Sequence, residues 1–249
     1  MKVELFGDEE MHRLFAEGQM KIIQSPSIFS FSLDAVLLAH FARVPRSSKR
    51  KILDLCAGHG VVPLLLSPKT NAQITGVEVQ GRLVHMAERS ITYNGLTKQI
   101  TMICADLRDE ISTLQQGSFD FITCNPPYFK TPANTELNEN EYLTIARHEV
   151  LCTLEDVVKA CKFYVRPGGR VAFVYRPNRL VELITLLSNY RLEPKRLRFV
   201  YPKNGKDANI VLVEAVRDGK QGLQTLPPLV IYEGKSYTKE AEAIIYGKG

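Results

Sequence analysis

A doubly wound, mostly parallel α/β sheet closed by an antiparallel C-terminal strand is the fold class that this 249-residue chain predicts. Three observations carry it. From residue 51 onward, short apolar runs alternate with helix-period segments. A glycine turn, Asp54-Leu55-Cys56-Ala57-Gly58-His59-Gly60, separates the first such run from the first helix. The fourth apolar run, Phe119 to Cys124, ends on Asn125-Pro126-Pro127-Tyr128, and in open α/β sheets ligands bind at that end of the strands.

In chain order, residues 1–30 read as irregular apart from a short strand at Lys21 to Gln24, followed by a turn at Ser25-Pro26-Ser27. Leu33 to Arg43 predicts a helix, with Leu33, Val36, Leu37, Leu38 and Phe41 on a broad apolar face. Arg43 to Lys51 is a basic connector. Strands are predicted at Lys51 to Leu55, Gln73 to Val79, Ile100 to Cys104, Phe119 to Cys124 and Arg170 to Tyr175. Helices fall between them, to about Leu66, from about Leu83 to Asn94, and from Leu154 to Val165; a further helix spans Leu180 to Asn189. Asn94-Gly95 supplies a helix stop. Leu197 to Tyr201 and Asn209 to Val216 read as a closing pair of strands. The longest predicted loop, Lys130 to about Thr153, directly follows Asn125 to Tyr128, and loops of that length in compact domains are usually functional or mobile. Three parts result: an N-terminal extension (1–50), the α/β domain (51–217) and a C-terminal tail (218–249).

Composition bounds the class. A hydrophobic content of 45% suffices for one well-buried domain, and 24% charged residues argue against disorder. The formal net charge of +5 permits a nucleic-acid partner without requiring one. Cys56, Cys104, Cys124, Cys152 and Cys161 include no CxxC pair and no His/Cys cluster with metal-site spacing. They read as reduced core thiols of a cytoplasmic protein. Met1 to Glu10 is acidic and without a signal-peptide apolar region, and no apolar run approaches the length needed to span a bilayer.

The residues at the strand ends define a chemistry. Gly58 and Gly60 permit close backbone approach to a ligand, with Cys56 and Ala57 lining the same turn. Glu78, followed by Val79, ends the second strand at the spacing of an acid that holds ribose hydroxyls. Pro63 occupies the third glycine position of a pyrophosphate loop, and Asp54 places a negative charge where a diphosphate is unwelcome. A cationic nucleoside such as S-adenosylmethionine fits better. Asp106, followed by Leu107, ends the third strand and can accept from an adenine amine. Each acid alone reads equally as a solvated strand-end residue, whereas the three at successive turns point to one site. At Asn125 to Tyr128 the side-chain carbonyl of Asn125 and the backbone acceptors around Pro126 and Pro127 can take both hydrogens of an –NH2 group. Tyr128 offers a flat face for the ring that carries it.

With these residues the sequence resembles the seven-stranded, Rossmann-like S-adenosylmethionine-dependent methyltransferases. The resemblance runs over about residues 50–217 and is of the Asn-Pro-Pro-Tyr subclass that methylates planar amines. It implies that the glycine turn approaches the methionine moiety, that Glu78 binds ribose and that Asp106 binds adenine. It also implies that Asn125 and Pro126 orient the acceptor nitrogen. A closer similarity is to the bacterial tRNA adenine-N6 methyltransferases that act on valine tRNA. Phe29 to Ala39, Ala146-Arg147-His148-Glu149, Pro227 to Tyr232 and Tyr237 to Glu240 carry it. In such enzymes Phe31 and Asp34 would close over the cofactor; the same phenylalanines also read as core. Arg147 and His148 follow the catalytic loop, where they would meet phosphate or the target base.

Arg191 to Asp207 holds six basic residues against two acids, interleaved with Phe199 and Tyr201. Of these, Arg196, Arg198, Lys203 and Lys206 are expected to contact tRNA, although the segment also reads as a solvated hairpin. The expected protein is thus a monomeric or weakly dimeric tRNA methyltransferase with no metal and no membrane association. The alternatives are a glutamine-amide methyltransferase of a translation protein, a DNA adenine methyltransferase and a non-catalytic RNA-binding protein. About 50 residues precede the first strand, fewer than the helical domain of the amide enzymes, and no separate DNA-recognition region is evident.

Overall fold

The structure, a computed structural model, describes residues 3–14, 20–28, 32–127 and 152–246. The strands are β1 (Glu10–Arg13), β2 (Lys21–Gln24), β3 (Lys51–Leu55), β4 (Gln73–Glu78), β5 (Ile100–Cys104), β6 (Phe119–Cys124), β7 (Val165–Tyr175), β8 (Leu192–Lys203), β9 (Ile210–Arg217), β10 (Gln224–Thr225), β11 (Leu229–Glu233) and β12 (Ser236–Tyr237). The helices are α1 (Leu33–Phe41), α2 (Val61–Leu66), α3 (Gly81–Tyr93), α4 (Leu154–Tyr164), α5 (Leu180–Asn189) and α6 (Lys239–Tyr246).

Central to the main sheet is the order β5-β4-β3-β6-β7-β9-β8. Strands β3 to β7 are mutually parallel, and β9 runs antiparallel between β7 and β8. This is the predicted seven-stranded arrangement, reversed at β3, where the order turns from β4 and β5 on one side to β6 and β7 on the other. Two apolar layers hold it. Residues of α1, α2, α3 and α6 pack with Ile52, Ile74 and Phe121 on one face. Those of α4 and α5 pack with Leu53, Leu55 and Ile122 on the other. Parallel strands buried on both faces explain the unbroken apolar runs in the sequence.

The structure departs from the sequence reading at both ends. Residues 218–246 extend the sheet: β11 lies parallel on β8, β12 pairs with β11, and β10 pairs with an earlier stretch of β8. Strand β8 begins five residues before the predicted Leu197 and contains Pro194. A proline cannot donate to a ladder, and the β8–β9 register shifts between Pro194 and Arg196. At the N-terminus, β1 pairs with β2 as a hairpin. Ser90 of α3 and Asn94, which caps its C-terminus, fasten β2: Ile23 N–H donates to Ser90 Oγ (2.9 Å) and Lys21 N–H to Asn94 Oδ1 (3.0 Å). Arg89 of α3 forks onto Glu9 at 2.6 and 2.7 Å. Among the cysteines, Cys124 and Cys161 are buried, while Cys104 is exposed rather than in the core. No helix among the described residues is long and apolar enough to cross a membrane.

Candidate active site

The C-terminal ends of β3, β4, β5 and β6 bring the strand-end residues together along one edge. The turn after β3 is left-handed three times, at Cys56 (φ 57°), Gly58 (φ 54°) and Gly60 (φ 82°). At Gly58 an added Cβ would meet nothing within 4 Å, so the turn is open to a ligand there. At Gly60 it would lie 3.1 Å from Ala87 Cβ, so the second glycine serves helix packing. Ala57 N–H donates to Val77 O at 3.0 Å and ties the turn to β4.

Glu78 links two turns. Its Oε2 accepts from Gly58 N–H (2.9 Å) and its Oε1 from Val79 and Gln80 N–H (3.1 Å each). Burial raises its pKa against the pull of those three donors. Val79 is 38% exposed, a bare apolar surface at the site's edge. Asp54 is buried beneath the turn and accepts the Thr123 hydroxyl at 2.6 Å. Burial pushes its pKa up to about 8, with the Glu78 charge adding to the rise. His59, also buried, is pushed down to about 4 by desolvation and is neutral at pH 7.

Asp106 sits after β5 with its carboxylate already forked by Arg108, whose Nη2 lies 2.6 Å from Oδ2 and whose backbone N–H is 2.9 Å from Oδ1. That pairing holds Asp106 below the usual carboxylate range. Arg108 was not anticipated from the sequence, although its i+2 spacing was visible. Leu107 is half-buried and packs against the apolar layer that includes α4 and α5.

Asn125 follows β6, beside the glycine turn, because Cys124 pairs with Leu55. Its Oδ1 is buried and has no hydrogen-bond partner among the described residues. An unmet buried acceptor costs about 1–3 kcal/mol, so it marks a place where a donor belongs. Pro126 is buried and Pro127 half-buried. Tyr128, Arg147, His148, Phe29 and Phe31 lie outside the described residues, as does most of the loop expected from 130 to 153.

Asp34, in the first turn of α1, reaches the same edge through a partner 142 residues away. Arg176 Nη2 donates to its Oδ2 at 2.9 Å, and Arg176 Nη1 donates to Asn209 O at 3.0 Å. Arg176 directly follows β7 and so stands next to the β6 end.

One expected tRNA contact is corrected, and a second is already partnered. Arg196 is buried, its Nη1 3.1 Å from Glu214 and its guanidinium 4.4 Å from the Phe41 ring centroid. Arg198 is held by Glu240 at 2.6 Å and donates to Pro227 O at 2.9 Å. Arg196 is therefore spent on internal packing, whereas Arg198 is half-buried at the surface. Lys203 and Lys206 are exposed at the β8–β9 turn. Since β8 runs in the same sense as β7, that turn lies on the Asn125 edge, three strands from β6 or about 15 Å.

The methyltransferase small domain family matches residues 19–186. Similar curated proteins bear the name tRNA1(Val) (adenine(37)-N6)-methyltransferase. The one from Shewanella putrefaciens is 28% identical, over 73% of this chain and 74% of its own length. That from Porphyromonas gingivalis is 27% identical over 81% and 80%. Among solved structures, a protein of Agrobacterium tumefaciens described as a predicted O-methyltransferase superposes with a TM-score of 0.69 at 22% identity, covering 87% of this chain and 97% of its own. Pyrococcus horikoshii TYW2 bound to MeSAdo superposes at 0.59 with 13% identity, over 85% and 72%. On the match to more than half of its length, the chain belongs to the methyltransferase small domain family.

Proposed function

We propose that this methyltransferase moves a methyl group from S-adenosylmethionine to the exocyclic N6 of an adenine in the anticodon loop of a valine tRNA. The observation that carries the reading is the buried Oδ1 of Asn125 at the end of β6, which has no partner among the described residues. The names of the curated relatives supply the substrate class.

The residues present fit the donor. The open backbone at Gly58 leaves room for the methionine portion, and Glu78 beside it offers acceptor oxygens rather than the donors a diphosphate needs. Glu78 would hold the ribose hydroxyls, Val79 would cover the adenine face, and Asp106 would meet its amine while keeping Arg108. When bound, S-adenosylmethionine would supply an electrophilic methyl carbon: a nitrogen–carbon bond forms as the sulfur–carbon bond breaks, S-adenosylhomocysteine leaves, and the methylated nitrogen then releases one proton to solvent.

The chain's own contribution is to the acceptor. An aromatic amine delocalises its lone pair into the ring and is a poor nucleophile. Asn125 Oδ1 and the Pro126 carbonyl each accept one N–H, which favours a pyramidal nitrogen and aims its lone pair along the line of attack. The same two acceptors take up the positive charge that develops on nitrogen, so no strong base has to act first. Tyr128 would stack on the base. Lys203 and Lys206 would meet the phosphate backbone, supporting tRNA at a distance from the reacting atom.

Labelled S-adenosylmethionine and bulk bacterial tRNA lacking the modification, followed by nucleoside digestion and mass analysis, test the proposal. The expected product is N6-methyladenosine. Asn125→Ala is expected to lower turnover by about 10²-fold or more, with donor affinity by calorimetry changed less than about twofold. Methylation confined to protein glutamine amides would overturn the substrate; equal loss of turnover and donor binding would overturn the role of Asn125.

A further inference from the structure

Thr123 and Asp54 face one another across the β3–β6 pair, two residues below the two halves of the site. Asp54 lies two residues before Cys56, where the glycine turn begins, and Thr123 lies two residues before Asn125. Both side chains are buried, at 1% and 0% exposure, and the hydroxyl donates to Oδ1 at 2.6 Å. Along their own strand row the neighbours are apolar. On the far side of Thr123 the β7 partner is Ala172, and on the far side of Asp54 the β4 partner is Gly76. Neither offers a polar side chain. Beyond Gly76 the row continues to Met102 of β5, whose Sδ occupies the space that a Cβ on residue 76 would need. Among the described residues the bond is a polar tie within an otherwise apolar strand row, where a hydrogen bond is strong and its loss costly.

We propose that Thr123 is a positioning residue for methyl transfer: its hydroxyl holds Asp54 and thereby fixes the donor-side glycine turn against the strand end that carries Asn125. This rests on the reading of the two half-sites given above. Backbone pairing sets the β3–β6 register but leaves the orientation of a buried carboxyl free. A carboxyl that rotates beneath the turn changes the field and the hydrogen bonding offered to a cationic donor. Displacements of a fraction of an ångström between donor and acceptor matter to a reaction that needs its atoms in line. A threonine hydroxyl fixes the carboxyl whether Asp54 holds a proton or not, since in either state Oδ1 accepts.

The test compares Thr123→Val, which keeps the shape and removes the donor, with Thr123→Ser, which keeps the donor. Donor affinity is read by calorimetry with S-adenosylhomocysteine, turnover with the tRNA substrate, and global stability by thermal unfolding. Thr123→Val is expected to weaken ligand binding and lower kcat by about tenfold each, the loss expected for a hydrogen bond to a buried carboxyl. Binding of tRNA alone is expected to stay within about twofold, because no phosphate contact is altered. Thr123→Ser is expected to return both constants to within about threefold of wild type.

A lower melting temperature with unchanged kcat and ligand affinity would make Thr123 merely structural and overturn the proposal. Failure of Thr123→Ser to restore function would assign the effect to the missing methyl group and overturn it as well. If Thr123→Val is recovered unfolded, Thr123→Cys, a weak donor of similar size, takes its place. Wild-type constants in that variant would again overturn the proposal. The calorimetric readout needs no acceptor, so an error in the tRNA assignment leaves it intact. Absence of S-adenosylhomocysteine binding to the wild-type chain would instead sink the donor site itself.

Discussion

Asp54 carries an ionisable group into a layer where water does not reach, and its titration therefore enters the stability of the chain. An unfolded aspartate titrates near 3.8, whereas in the fold burial raises Asp54 to about 8. Between those values the folded chain keeps a proton that the unfolded chain releases. The contribution is fully present below about pH 4 and is lost as pH rises toward about 8. Glu78, also raised by burial, acts with the same sign. His59 acts oppositely: lowered to about 4, it contributes above its ordinary 6.5 and loses that contribution as pH falls. Asp54→Asn removes one of these three titrations and leaves the others. Its urea midpoint is expected to decline less steeply than that of wild type between about pH 5 and pH 8. Parallel profiles for the two proteins would show that Asp54 is already ionised in the fold.

Strand β8 shows how an element reassigns its residues. As a string, Lys195-Arg196-Leu197-Arg198 reads as a basic patch with aromatics nearby. Paired with β9, it puts Arg196 opposite Glu214, which is fully buried. A clue was present in the apolar run Ile210 to Val216, where Glu214 is the one charge, because a buried acid demands a cationic partner. Arg170 reaches the other oxygen of Glu214 at 2.7 Å from a more exposed position. Arg196→Ala leaves the acid with that outer partner alone and empties the space over Phe41. It is expected to lower unfolding free energy by about 3 kcal/mol, measured by urea titration. A loss below about 1 kcal/mol would mean that Arg170 suffices. Methyl transfer by the folded fraction is expected to persist, since neither residue lies at the β6 edge.

The C-terminal segment changes what counts as the domain. Leu229 and Ile231 of β11 and Ala241, Ile244 and Ile245 of α6 are buried, and Arg198 clamps the segment through Glu240 and Pro227. Ending the chain after Arg217 would expose that apolar surface and leave β8 an open edge. The truncated chain is expected to aggregate or to lose its sharp thermal transition, as size-exclusion chromatography and calorimetry would show; a monomer with a wild-type melting curve would mean that the segment is dispensable. The alternating strands and helices, the glycine turn and the Asn125 strand end were all legible in the sequence. They rest on local periodicity, on the backbone freedom of Gly58 and on prolines that stop a ladder, and neighbouring residues suffice to specify these. The pairing of Asp106 with Arg108, two residues on, is equally local. Tertiary structure alone decided the partners of Asp34, Arg196 and Arg198, the Thr123–Asp54 bond and the addition of β11 to the sheet. Each depends on strand order and register between distant segments, where one residue of slip would turn a side chain to the opposite face.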